Sequence, residues 1–593
     1  MKIIIFDFEV FKYDTLLGCK IVNNDGSLDM FQTWNIEEIK NFYNDNLKSM
    51  WIGHNCIGYD NIIMETILKG GNPYKKSKEI VKEGNRVKAH LPIQTYDLMN
   101  GFYSLKTTEY IVGKNISESS VSFDLDRPLT EEEKRLTESY NRDDLEQTYD
   151  NFIATTEAFF LRLEIIKEFA LSFECLNVTD ARLSSIVLGA KAIPGIEKEV
   201  VKPKLYDTLQ LKNEELKNYF LENKFRTSEK LKITLCGCEH QIGSGGIHAA
   251  LNKYHTKRAL YFDVSGYYNL IMINYNLLPR TMPKESREKY IYMYHEQLRL
   301  KKIDPVKRNV YKIILLAVFG AMMNEYTDFY DPWNGLLVTI TGQLFIVDLL
   351  EKLEGKVKVI QSNTDGIMVE PFNWKDKEEV IKIVEEWEAR TGFVIKKEEI
   401  HNLWQRDVNN YTYEKEGHIE AKGEALKAYN AVKNPIASQA WTLKESPIIA
   451  FGIINYLQFG KSPEETVGEY KNNLLMFQFA CKKLSFDYLE LEEIDKDTGN
   501  IKTTRLQNVN RVFPAKKELE RGIVYKHKER DGKHTKSKIA GLPENMFVYN
   551  GDIRGEETVK ELDKRIDFDY YVNRIYERIL EFVDIPKVRD FEI

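Results

Sequence analysis

The chain has 593 residues, 43% of them hydrophobic and 30% charged, with a formal net charge of -7. That length exceeds the roughly 250–300 residues at which single hydrophobic cores stop growing, so several domains are expected, and the composition excludes a chain dominated by disorder. The acidic balance does not announce a polyanion binder, and six scattered cysteines make no disulfide framework and fit a reducing cytoplasm.

The N-terminal MKIIIFDFEV reads as a buried strand, because Asp7 and Glu9 interrupt the apolar run that a signal peptide needs. Two apart on a strand, both carboxylates leave the same face, and burying them together calls for a cation nearby. WIGHNCIGYDNIIM then places Asn55 and Asp60 at the mouth of an apolar helix. TEEEKRLTESYNRDDLEQTYDNF is a helix opened by a capping box of Thr130 with Glu133, and it puts Tyr140 and Asp144 on one face. Taken alone, each piece reads better as a helix cap or a surface acid. Jointly, D-x-E, N-x4-D and Y-x3-D supply the three or four carboxylates that hold two divalent ions for phosphodiester hydrolysis, and an oxygen-only set suits magnesium.

This order resembles the DEDDy 3′–5′ proofreading exonucleases. The resemblance implies an RNase H-like mixed sheet flanked by helices, metal binding by Asp7, Glu9, Asp60 and Asp144, a DNA contact at Asn55, and an attacking water oriented by Tyr140. Asp143 rivals Asp144 but breaks the Y-x3-D spacing.

Further along, CGCEHQ brings Cys236, Cys238 and His240 close in sequence; with no second pair nearby it reads as a strand entering a turn, not a zinc site. ALYFDVSGYYNLIMINYNLLP opens as a strand ending in Asp263. SREKYIYMYHEQLRLKKIDP and KRNVYKIILLAVFGAMM form a two-helix hairpin over 286–322, broken at Asp304-Pro305, with a basic interior face where Arg308 and Lys312 lie one turn apart. Its apolar run IILLAVFGAMM is far short of the roughly 20 residues that cross a bilayer, so no membrane span is expected. QSNTDGIMV, residues 361 to 369, reads as a hairpin whose turn is of the Asp-Gly kind and carries Asp365. Acid, basic helix, acid is the order that phosphoryl transfer from a nucleoside triphosphate needs, with two metals in line and cations on the phosphates.

Over nearly its whole length the chain looks like a family B DNA polymerase. Asp263 stands for the acid of D-x-x-S-L-Y-P-S and Tyr268 for its tyrosine. Lys312 to Gly320 match K-x3-N-S-x-Y-G, with six residues between Lys312 and Phe319 where family A would have seven. Asp365 matches the second acid of D-T-D, Gly245 and Gly246 the Y-x-G-G linker, and Tyr411 and Lys422 the K-x-Y region that grips the primer end. Departures are Gly243, Gly266, Asn269, Leu316, Ala317, Phe319, Asn363 and Asn409. The resemblance implies catalysis by Asp263 and Asp365. Arg299, Arg308 and Lys312 would contact the triphosphate, Phe319 and Gly320 would sit beside the nascent base pair, and Tyr268 beneath the incoming sugar would exclude a 2′-hydroxyl. Arg287 would sit at the far end of the hairpin.

The expected architecture is an α/β multidomain chain, an RNase H-like exonuclease followed by a right-hand polymerase. Its parts are an exonuclease over 1–155, a connecting region with the GSGG linker over 156–250, palm over 251–285 and 323–435, fingers over 286–322 and thumb over 436–593. The thumb's basic segment around Lys526 would hold duplex phosphates, and IDFDYYVNRIYERILEFV would close it as an amphipathic helix. The implied activity is proofreading DNA synthesis with two Mg2+ per site, Mn2+ as a substitute, on primer-template DNA and dNTPs, with a helicase or clamp as partner. The size suggests a phage or mobile element, acting in the host cytoplasm. Only 49 positions separate Asp263 from Lys312, too few for the insertion that docks a terminal protein in protein-primed phage polymerases, so a nucleic-acid primer is expected. Two other classes are an exonuclease with a degenerate polymerase half and a non-enzymatic nucleic-acid-binding scaffold; retention of two separate acid sets argues against both.

Overall fold

A computed structural model describes residues 2–84, 87–99, 104–226, 229–438, 444–495, 498–519 and 521–584. Two compact units divide the chain. The first gathers Met1–Asn177, Asn430–Ile449 and Glu464–Asn573, and the second gathers Val178–Tyr429, Ala450–Pro463 and Arg574–Ile593.

In the first unit β1 (Ile3–Val10), β2 (Thr15–Val22), β3 (Leu28–Thr33), β4 (Met50–Gly53) and β5 (Gln94–Asp97) form a sheet in the order β3-β2-β1-β4-β5. The first three are antiparallel, and β4 and β5 run parallel to β1, so the sheet is mixed. β1 is central, and its side chains leave alternate faces. Ile4, Phe6, Phe8 and Val10 enter an apolar core with Trp51, Ile63 and Ile67, leaving Asp7 and Glu9 to the opposite face. The Glu131–Ala154 helix packs against β1 and β2. It begins with the anticipated capping box, Thr130 and Glu133 bonding each other's backbone N–H.

In the second unit β6 (Leu231–Leu235), β7 (Cys238–Ile242), β8 (His248–Ala250), β9 (Tyr254–Val264), β10 (Val357–Asn363), β11 (Gly366–Pro371), β12 (Ile395–Asp407), β13 (Asn410–Lys415) and β14 (His418–Lys422) make one sheet, ordered β14-β13-β12-β9-β11-β10-β8-β7-β6. Residues 231–250, placed by sequence in the connecting region 156–250, thus supply three strands of the main sheet, because β8 pairs with β10 from Ala250↔Gln361 to His248↔Asn363. Cys236 and Gly237 turn β6 into β7. His240 Nδ1 meets Ser362 Oγ at 2.9 Å, so these residues pack a strand pair. All six cysteines are buried, and none forms a disulfide among the described residues. The Lys284–Arg299 and Pro305–Ala321 helices form the anticipated hairpin, with Asp304 capping the second through Lys307 N–H.

The C-terminal third carries seven strands among the described residues. Its strands β15 (Phe479–Lys482), β16 (Tyr488–Ile494), β17 (Ile501–Leu506), β18 (Val509–Pro514), β19 (Gly522–Arg530), β20 (Lys533–Lys538) and β21 (Met546–Val548) form two sheets, β15-β18-β21 and β17-β16-β19-β20. Glu464–Asn573 belongs to the first unit while the segments on either side belong to the second. The cause is hydrogen bonding that periodicity does not reveal: Ile116 N–H donates to Asn550 O at 2.7 Å, for example. The basic segment around Lys526 is the β19–β20 hairpin, whose β20 is exposed throughout. The final amphipathic stretch is helical over Phe568–Ile579, with Tyr571 buried against Phe477. No helix among the described residues is long and apolar enough to cross a membrane.

Candidate active sites

The first acidic centre lies on the face of β1 opposite its apolar core, under the Glu131–Ala154 helix. One oxygen each from Asp7, Glu9 and Asp144 fall within 4.8 Å of one another. Asp144 reaches them because its helix lies tight on the sheet. Gly18, opposite Asp7 in the β1–β2 register, has no Cβ to collide with Asn141, whose amide donates to Asp7 Oδ2 at 2.9 Å. Asp60 stands outside the trio. It opens the Asp60–Leu68 helix, yet instead of capping that helix it accepts the Phe8 backbone N–H at 3.0 Å, which ties the helix to the strand that carries Asp7 and Glu9.

Crowding shows in the carboxyl affinities. Burial, then the Asp144 charge, pushes Asp7 up to about 7. Glu9 and Asp60 are held well above the usual carboxylate range by burial and by Asp7. Burial raises Asp144 too, opposed by Lys106. Four acids this close favour protons unless cations replace them.

The cation demanded by burying Asp7 beside Glu9 is Lys106, which sequence reading did not assign. From the Leu105–Val112 helix it donates to Asp144 Oδ1 at 2.6 Å and Glu109 Oε1 at 3.0 Å, and lies 4.6 Å from the Tyr140 ring centre. Tyr140 hydrogen-bonds Asp144, and burial keeps its phenol protonated. Asn55 sits at φ 62 in a loop folded around Asp97, whose carboxylate accepts the N–H groups of Asn55 and Ile57. Beside Glu9 a cleft of about 370 Å3 is lined by Tyr59, Tyr74, Lys78, Lys82 and Phe123. Aromatic faces with lysines suit stacked bases and phosphates of a single strand.

The second centre lies mid-sheet in the other unit. Asp263 near the end of β9 pairs with Gly366 of β11 and Lys396 of β12, and Val264 N–H donates to Asp365 O at 2.9 Å. Burial, then Asp263, pushes Asp365 up to about 6. Burial also raises Asp263, opposed by Lys396, while Tyr261 hydrogen-bonds it. The turn differs from the Asp-Gly kind. Asn363 pairs with Gly366, so Thr364 and Asp365 are its central residues, and Thr364 takes φ 52, left-handed backbone that a β-branched side chain rarely adopts. Its N–H donates to Ile247 O at 3.1 Å, and its side chain lies where a Cβ on Gly246 would stand. The Gly243–Gly246 loop is itself clamped by Gln343, unassigned from sequence, which bonds Gly243 in both directions and donates to Gly245 O at 2.5 Å.

Tyr268 stacks on Phe319 of the hairpin at 4.1 Å and lies close enough to Asp365 to feel its charge. Gly266, in place of a serine, takes φ 63 against Tyr294, and Asn269 accepts the Tyr290 hydroxyl at 3.0 Å. Leu316 is exposed and Gly320 faces open space. Among the phosphate candidates, Lys312 is exposed with no ion pair among the described residues, and Arg308 Nε is buried without a hydrogen-bond partner. Arg299 instead pairs with Glu296 one turn back. Tyr411 and Lys422 are opposite each other on β13 and β14, but Tyr411 is only 7% exposed and bonds Gln361, so its ring serves the core.

No family model matches the chain, and no curated protein matches it. Among solved structures, the chain is similar to the family B DNA polymerase from the hyperthermophilic archaeon Pyrobaculum calidifontis, with 14% identity, all of this chain and 79% of that one covered, and a TM-score of 0.43.

Proposed function

We propose that this protein is a DNA polymerase that extends a nucleic-acid primer with dNTPs and removes 3′-terminal nucleotides at a separate exonuclease centre. The observation that carries the reading is the pair of acidic centres, each on its own sheet in its own unit, with Asp7, Glu9 and Asp144 converging in one and Asp263 and Asp365 on adjoining backbone in the other.

The donor sets fit divalent ions: oxygen ligands only, with carboxyl affinities raised first by burial and then by mutual repulsion, both of which a bound cation would offset. Asp7, Glu9 and Asp144, with Asp60 beside them, would hold the ions of the first centre, and Asp263 and Asp365 those of the second. Magnesium there would supply charge on the phosphate and a more acidic attacking water or hydroxyl. Lys106 opposes the upward shift of Asp144 and fixes its direction, while Tyr140, held protonated, offers its hydroxyl to orient water. In the synthetic centre Lys312 and Arg308 bind triphosphate oxygens, and the Tyr268–Phe319 stack forms an apolar floor under the sugar and base. Gly245 and Gly246 let DNA backbone approach, and Lys422 offers a phosphate contact. On this reading the unit of 178–429 holds palm and fingers, a helicase or clamp supplies processivity, and the chain works on phage or mobile-element DNA in the host cytoplasm.

Primer extension with magnesium and dNTPs tests the reading. Asp365→Ala should abolish synthesis and spare degradation, and Asp7→Ala should do the reverse. Synthesis surviving Asp365→Ala would sink the assignment. Transfer of labelled nucleotide onto a protein in a primer-free reaction would contradict extension from a nucleic-acid primer.

A further inference from the structure

Arg511 of β18 is 0% exposed and belongs to neither acidic centre. A guanidinium is costly to bury unless its donors find acceptors, and here it bonds four. Nε donates to Gln478 Oε1 at 2.8 Å and Nη1 to Gly551 O at 2.6 Å, while Nη2 reaches Lys114 O at 3.0 Å and Tyr110 O at 3.4 Å. Burial draws its pKa down to about 10, so it stays cationic at neutral pH.

Two of those acceptors identify its target. Tyr110 is in the last turn of the Leu105–Val112 helix and Lys114 lies just beyond its Gly113 cap. A helix ends in carbonyls without intrahelical partners and in the negative pole of its dipole, so a buried cation there fastens the helix end. The same strand of chain is stitched further by Ile553 N–H to Gly113 O at 2.9 Å, Gln507 Nε2 to Ile116 O at 2.9 Å and Asn508 Nδ2 to Glu118 Oε1 at 2.8 Å. One turn before Tyr110 on that helix stands Lys106, the cation on Asp144.

We propose that Arg511 is a positioning residue for the first acidic centre: by gripping the end of the Leu105–Val112 helix it sets where Lys106 meets Asp144, so a segment 401 residues from Tyr110 completes the hydrolytic site. This rests on reading that centre as a nuclease. Residues 1–177 alone would then carry every metal-facing acid and still hydrolyse poorly, because displacement of about 1 Å at a catalytic constellation costs up to roughly a hundredfold.

The test uses the full chain with Arg511→Met, Arg511→Lys and the double variant Gln507→Ala/Asn508→Ala, which loosens the same stretch and leaves Arg511 in place. Degradation of single-stranded DNA, primer extension and amide hydrogen exchange over 105–112 are measured on each. Arg511→Met should lower kcat for degradation at least ~10-fold with KM within ~2-fold, leave primer extension within ~2-fold and speed exchange in 105–112. Arg511→Lys, which keeps the charge, should recover part of kcat. If Arg511→Met fails to fold, the double variant decides, with an expected fall of about threefold in kcat and the same faster exchange. Unchanged kcat and exchange, or a loss carried by KM alone, would overturn the proposal. A wild-type chain that degrades nothing would refute the nuclease reading instead, and exchange over 105–112 in the variants would still decide whether Arg511 holds the helix.

Discussion

Replacing Asp7 by asparagine should stabilise the metal-free protein at pH 8 while abolishing degradation. The folded carboxyl titrates at about 7 against an ordinary 3.8, with burial the largest cause and Asp144 the next. Because the folded state holds that proton more tightly than the unfolded chain, folding binds protons between pH ~4 and ~7, stability falls as pH rises through that window, and the penalty is complete above it. A pKa difference of about three is worth about 4 kcal/mol, which sets the ceiling on what removing the charge returns. Asparagine keeps the shape and an acceptor for the Asn141 amide, 2.9 Å from the carboxylate, so that hydrogen bond is retained. At roughly 2 °C per kcal/mol for a body of this size, Tm of the first unit should rise by up to about 8 °C in EDTA at pH 8 and by nothing near pH 4. Calorimetry at pH 4, 6 and 8, with hydrogen exchange to assign the transition to the first unit, measures it. Added magnesium should stabilise wild type more than the variant, since the variant lacks a ligand. A variant no more stable than wild type at pH 8, or one whose advantage persists at pH 4, would refute the picture of a mutually repelling acid cluster.

Asp365→Asn should lower primer extension by roughly a thousandfold, about 4 kcal/mol of transition-state stabilisation, whereas Asn363→Asp should be tolerated; equal losses in a steady-state assay would put the wrong residue on the metal. Gly246→Ala forces a Cβ into the Thr364 side chain and should shift the turn that carries Asp365, costing about 1–3 kcal/mol of stability by denaturant titration and most of the synthesis, with degradation unchanged. Lys312→Ala should raise KM for dNTP about 10- to 100-fold, the worth of a charge-assisted contact, while Arg299→Ala, already engaged by Glu296, should change it less than ~3-fold; the reverse ranking in initial-rate kinetics would show that the hairpin presents its other end to the phosphates.

Local chemistry made part of this protein legible from its sequence alone. The alternation of IIIFDFEV fixed both the strand and the face shared by Asp7 and Glu9, and Thr130 with Glu133 and Asp304 with Pro305 marked helix starts that need only a few neighbouring residues to form. Even there, NTDG misled by one residue, because the pairing of Asn363 with Gly366 comes from the register of β10 on β11 and β8, which no tetrapeptide encodes. Burial of paired acids implied a cation but could not name Lys106, 38 residues from Asp144, since any of many lysines satisfies that demand until a helix is docked. Gln343 on the GSGG loop, Gly18 beneath Asn141 and Arg511 on the Leu105–Val112 helix belong to the same class. The tertiary structure alone decided that residues 231–250 join the main sheet and that Glu464–Asn573 belongs with the N-terminal strands. Hydrophobic period tells a segment which face to bury, whereas the partner that covers it is selected by shape and by unmet hydrogen bonds across hundreds of residues.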